Sequence, residues 1–161
     1  MTENLLENKK ILIVDDEPDI LESLEELLDM CQITKATNFE DAKSLLTSKK
    51  FDIAILDIMG VDGYALLDIA TDKKVLTIML TAHALSVESI EKSYKGGAQY
   101  YIPKEEMADI ETFLNDVLEA RSKGENPWTK WYSRLASFCE KKFGEDWVKD
   151  EKDFWDKMTF H

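Results

Sequence analysis

An α/β fold is what this chain predicts: a doubly wound, five-stranded parallel sheet with helices on both faces, followed by a helical tail. Three observations carry that expectation. Short apolar runs such as Ile11-Leu12-Ile13-Val14 and Ile53-Ala54-Ile55-Leu56 do not alternate with polar residues, so they read as strands buried on both faces. Stretches with apolar residues at helical spacing lie between them. The strand–helix alternation continues for about 120 residues, which calls for parallel pairing with helical crossovers.

The elements follow in order. Residues 10–14 form the first strand, and Pro18 opens the first helix at a position where its missing N–H costs nothing. Ile20, Leu21, Leu24, Leu27 and Leu28 are that helix's buried stripe. Residues 32–36 are a short second strand. Thr37 or Asn38 then caps a helix with Phe39, Ala42, Leu45 and Leu46 inward. The third strand spans 51–57, and the helix after it runs from about residue 63 to 72. Residues 75–80 form the fourth strand and deliver Thr81-Ala82-His83. Ser86 caps a fourth helix with a thin apolar stripe of Val87, Ile90 and Tyr94, stopped by Gly96-Gly97. The fifth strand is 99–102, followed by Pro103-Lys104 and a fifth helix over about 106–121.

Right-handed crossovers put the C-terminal ends of all parallel strands on one edge of the sheet. Asp15, Asp16, Asp57, Thr81 and Lys104 all fall at or just past strand ends, so the topology gathers them in one crevice. Each carboxylate alone could be a turn or cap residue. Three of them together repel one another and need a cation.

The chain divides into a domain at 1–121, a linker at 122–127 and an aromatic-rich helical hairpin at 128–161. All four tryptophans lie in the last segment, Trp128 and Trp131 at helical spacing with Tyr132, Leu135 and Phe138, and Trp147 and Trp155 in a second helix over about 145–158. About forty residues cannot bury four indoles alone, so the tail is expected to dock on the domain, to pair with a second copy, or to bind a partner. The apolar stripe of the fourth helix is one expected seat.

A net charge of -13 argues against nucleic acid or an anionic membrane as partner. From residue 121 onward nine basic residues face eight acidic ones, so the tail is too near balance for a DNA-reading module. Cys31 and Cys139 have no metal-ligand spacing and suit a reducing compartment. The start has no signal-peptide pattern, and the longest apolar stretch, 75–85, is too short to span a bilayer. A cytoplasmic protein is expected.

A carboxylate nucleophile, a hard cation, a lysine and a hydroxyl could together accept a phosphoryl group and stabilise its spreading charge. At these residues the chain resembles the receiver domain of bacterial two-component response regulators. The matching positions are Asp15-Asp16 in Val-Asp-Asp-Glu-Pro, Asp57 in Ile-Leu-Asp, Thr81-Ala82, Gly97-Ala98, Tyr101 and Lys104. The resemblance covers residues 8–121 and implies the strand order 2-1-3-4-5.

It further implies that Asp57 is the phosphoacceptor and that Mg²⁺ is held by Asp15, Asp16, Asp57 and the main-chain carbonyl of Met59. Thr81 and Lys104 would bind phosphoryl oxygens, and Thr81 and Tyr101 would form the switch. Met59 and His83 would tune dephosphorylation. The implied partners are a histidine kinase or phosphotransfer protein and a downstream protein. A homodimer could form through the face of helix four, strand five and helix five, or through the tail.

Two departures stand out. The loop 58–63 is about two residues shorter than the family pattern, and Pro103 precedes Lys104 where the family has a proline after its lysine. They leave a rival reading open, a pseudo-receiver that binds proteins without a phosphoryl cycle. A DNA-binding regulator acting through the tail is the remaining alternative.

Overall fold

A computed structural model describes residues 4–82 and 86–143. The order of elements is β1 (Lys10–Val14), α1 (Pro18–Leu27), β2 (Gln32–Ala36), α2 (Phe39–Ser48), β3 (Ile53–Asp57) and α3 (Gly63–Asp72). There follow β4 (Leu76–Thr81), α4 (Val87–Lys95), β5 (Tyr100–Pro103), α5 (Ile110–Lys123) and α6 (Pro127–Phe143). The five strands pair in parallel in the order β2-β1-β3-β4-β5, as expected.

Position in the sheet explains strand composition. β3 and β4 are buried along their whole length, and β1 at every residue but Lys10, so each reads as a continuous apolar run. β2 lies at an edge, and its Gln32 and Lys35 are exposed. Helix starts follow local chemistry. Asn38 rather than Thr37 caps α2, its Oδ1 accepting the Asp41 N–H at 2.9 Å. Ser86 and Ser89 form a reciprocal capping box at the start of α4.

One expected element differs. The chain does not enter an α-helix at residue 106, because residues Lys104–Asp109 wind as a 3₁₀ turn and α5 begins only at Ile110. This tighter winding begins at Lys104, whose side chain is tied into the crevice.

The second expected tail helix, about residues 145–158, lies outside the described residues, whereas α6 is seen and lies on the sheet edge formed by β5. Trp128, Trp131 and Leu135 are buried there. Trp128 meets the ring of Tyr94 edge-on at 5.7 Å and stacks over Tyr100 at 6.5 Å. Tyr94 of the expected seat is therefore touched, while the polar contacts of α6 go to the Ala98 and Tyr101 carbonyls and to Asp116 of α5. Among the described residues no helix is long and apolar enough to cross a membrane.

Candidate functional site

Strand register builds the crevice. Val14 pairs with Leu56, which puts Asp15 beside Asp57 at the ends of β1 and β3. Thr81 pairs with Pro103, which places Lys104 one residue further along the adjoining strand. Five residues distant in sequence are thus brought to one edge. Asp15, Asp57 and Thr81 are buried, and Asp16 is exposed.

Lys104 ties the acids together. Its Nζ lies 2.8 Å from Asp15 Oδ2, 3.3 Å from Glu17 Oε1 and 3.7 Å from Asp57 Oδ1. The contact with Asp15 is an ion pair without hydrogen-bond geometry. Desolvation, followed by the charge of Asp15, pushes the Asp57 carboxyl up to about 7, against the opposing pull of Lys104. Asp15 is also raised, chiefly by burial, with Lys104 and the Glu17 N–H pulling the other way. Desolvation would lower the Lys104 ammonium, but the contacts with Asp15 and Asp57 outweigh it and leave it raised. One lysine serves several carboxylates, and the acids remain under-compensated.

The short loop after β3 is accommodated by two glycines. A Cβ on Gly63 would lie 2.2 Å from the Asp57 carbonyl oxygen, so the chain folds back there against its own backbone. The Gly63 N–H closes the loop onto the Ile58 carbonyl at 3.1 Å. Gly60 adopts φ +85°, and a Cβ on it would meet the Asp16 carboxylate at 2.5 Å. The tight loop therefore leaves the Asp16 side chain its space. Met59 is exposed at the tip.

Tyr101 is fully buried, and its Oη lies 2.7 Å from Ser89 Oγ in the α4 capping box. Reading the sequence missed Glu17 and Ser89. Glu17 was detectable as the third member of the Asp15-Asp16-Glu17 run; Ser89 carried no signal before α4 was packed against β5. His83 lies outside the described residues. Among the described residues the peptide bonds are all trans, including that joining Lys104 to Glu105.

The donor set fits a hard cation. Oxygens of Asp15, Asp16 and Glu17 lie within 4.8 Å of one another, and the two buried acids of the crevice, Asp15 and Asp57, are held above their usual range.

A family model described as the response regulator receiver domain matches residues 11–115. The chain belongs to this family. It is a receiver domain of the two-component response regulator type, and such receivers work with kinases or phosphotransfer proteins and with downstream targets. Members generally bind Mg²⁺ at an acidic pocket of the kind formed here by Asp15, Asp16 and Glu17.

Among curated relatives, the two-component response regulator ARR18 of Arabidopsis thaliana is 37% identical over 101 residues, covering 59% of this chain and 16% of that protein. The probable transcriptional regulator ycf27 of Guillardia theta is 35% identical over 124 residues, covering 73% and 49%. The chain therefore spans less than half the length of these two relatives. Among solved structures, the CheY-like receiver domain protein from Methanospirillum hungatei JF-1 superposes with a TM-score of 0.63 at 27% identity, covering 72% of this receiver and 98% of that chain. The BeF3-activated DrrB receiver domain gives a TM-score of 0.61 at 28% identity, covering 70% and 98%.

Proposed function

We propose that this receiver accepts a phosphoryl group on Asp57 from a phosphohistidine of a histidine kinase or phosphotransfer protein and signals through protein contacts. The observation that carries the reading is the placement of Asp57, a buried carboxylate 3.7 Å from the Lys104 ammonium and beside the acid trio. One Asp57 oxygen forms the bond to phosphorus as the imidazole nitrogen–phosphorus bond breaks, and the imidazole keeps a proton. Asp15, Asp16 and Asp57, with the Met59 carbonyl and Glu17, would hold Mg²⁺, which would supply charge neutralisation when bound. Lys104 turns from Asp15 towards the new phosphoryl oxygens, and the Thr81 hydroxyl donates to one of them. Tyr101, buried against Ser89, reports the change to α4. Met59 and His83 set how readily water reaches the acyl phosphate.

Intact mass after incubation with acetyl phosphate and Mg²⁺ tests this reading. One added phosphoryl group is expected in the native chain and none in Asp57→Asn. An unmodified native chain would rule the reading out.

A second reading, the phosphorylation-independent pseudo-receiver, draws on one observation. Lys104 stands nearer to Asp15 than to Asp57, and burial, followed by the Asp15 charge, holds the Asp57 carboxyl near 7 against the pull of the lysine. In that case mass is unchanged while partner binding persists in Asp57→Asn.

A further inference from the structure

The lysines of this acidic chain are unevenly spread. Six of the eleven in the first 120 residues stand as three pairs, Lys9-Lys10, Lys49-Lys50 and Lys73-Lys74, each leading into a strand. The strands they enter are β1, β3 and β4, which lie side by side, so the pairs form a strip across the amino edge of the sheet. That edge is the one opposite the crevice. Among the described residues none of the six lysines forms an ion pair, whereas Lys35, Lys95, Lys104 and Lys123 all do. One oxygen of Asp52, at the same edge, is occupied by the main-chain N–H of Lys10 at 2.8 Å.

Two clefts open on this edge and share Val75. One, of about 380 Å³, is lined by Lys49, Lys50 and Lys73 together with Leu46, Phe51 and Val75. The other, of about 260 Å³, is bordered by Lys74, Arg121 and Val75. The turn between them thus sends successive lysines to different clefts. It does so through a left-handed residue, since Lys74 has φ +60°. The Lys74 N–H returns to the Thr71 carbonyl at 3.0 Å and the Val75 N–H to the Ala70 carbonyl at 2.9 Å, a helix ending that favours glycine. α5 closes with the same pattern, and there the left-handed residue is Gly124. Complementing the macrodipole of α3 calls for a cation near the helix end, not for one in the left-handed region. Strain of this kind, kept where glycine would relieve it, points to a role for the side chain.

We propose that this edge is a binding site for a compact polyanion with a di- or triphosphate chain, lying across the turn at 73–75 between the two clefts. Lys49, Lys50 and Lys73 meet one end of the chain, and Lys74 with Arg121 meets the other. Exposed Glu7, Asp29 and Asp72 border the strip, and the chain as a whole carries -13, so a long polymer or an anionic bilayer laid on this edge is repelled. A molecule small enough to touch only the lysines escapes that repulsion. The phosphate chain could come from a nucleotide or from a free inorganic oligophosphate. Half-buried Phe51 and the Val75 side chain offer apolar surface to a base. The site requires no reaction at Asp57 and stands apart from the reading of that residue.

Titration calorimetry of the full chain in metal-free buffer, with tripolyphosphate and with ATP as probes, tests the site. Leaving out divalent cations keeps the phosphates from being bridged to the acids of the crevice. Lys50→Glu and Lys73→Glu are each expected to weaken binding about fivefold or more. Lys35→Glu makes the same change of charge on β2, away from this edge, and should leave the affinity as it is. Lys74→Gly separates binding from folding: affinity should fall while the urea midpoint holds or rises, because glycine takes the left-handed conformation without strain. ATP bound more tightly than tripolyphosphate identifies a nucleotide, and equal affinities identify a free phosphate chain. No binding of either probe by calorimetry and thermal shift, equal weakening by Lys35→Glu, or full affinity in Lys74→Gly overturns the proposal.

Discussion

Lys104 Nζ lies 2.8 Å from Asp15 Oδ2 but 3.7 Å from Asp57 Oδ1, so the lysine is held chiefly by the fully buried acid of the pair. Lys104→Met would leave Asp15 buried beside Asp57 with no ammonium between them. Without divalent cations at pH 8, urea unfolding is expected to show a loss of about 3 kcal/mol, as when one partner of a buried ion pair is removed. A variant as stable as the native chain would refute this role of the lysine.

The raised Asp57 carboxyl sets a pH dependence. With its folded value near 7 and its unfolded value near the ordinary 3.8 of a free aspartate, the native state binds the proton more tightly between these limits. Its stabilising contribution is full below the lower value and is lost as pH rises through the upper one. Asp15, also raised, acts in the same direction, while the raised Lys104 ammonium titrates above this range. In metal-free buffer the urea midpoint should therefore fall from pH 5 to pH 8, and less steeply in Asp57→Asn.

A divalent cation should offset the same repulsion. Mg²⁺ at tenfold its dissociation constant is expected to stabilise the native chain by about 1.4 kcal/mol. Thermal unfolding with and without Mg²⁺ measures this. Asp15→Asn and Asp16→Ala should each lose most of the shift, whereas a shift retained in both would place the cation elsewhere.

Gly63 and Gly60 should respond differently to alanine. At Gly63 the new methyl would meet the Asp57 carbonyl oxygen, which is backbone and cannot turn aside, so a loss of about 3 kcal/mol is expected. At Gly60 the obstacle is the Asp16 carboxylate, a side chain that can swing away, leaving mainly the cost of φ +85°. Gly60→Ala should thus stay folded with weakened Mg²⁺ binding, read by denaturation and metal titration side by side.

Cys31 should react slowly. Burial, then Glu111 and Asp29, push its thiol up to about 11, and Sγ donates to the Leu6 carbonyl at 3.3 Å. In a Cys139→Ser background at pH 8, iodoacetamide labelling is expected to run on the order of a hundredfold slower than for a free peptide thiol. Labelling at the free-thiol rate would contradict that environment.

The sequence by itself determined the sheet, most element boundaries and which residues meet in the crevice. Apolar runs, caps and periodicity are local, and parallel topology then sends Asp15, Asp57, Thr81 and Lys104 to one edge whatever the details of packing. It also showed that the loop after Asp57 is short, but not that Gly63 makes the shortening possible by folding against the Asp57 carbonyl. Tertiary structure alone decided how Lys104 divides itself between Asp15 and Asp57, because ion pairing depends on ångström-scale distances and on burial. It likewise decided where the tail sits. The stripe of Trp128, Trp131 and Arg134 is visible in the sequence, but its seat depends on two β5-side carbonyls and on Asp116, groups made complementary only when β5 and α5 pack side by side.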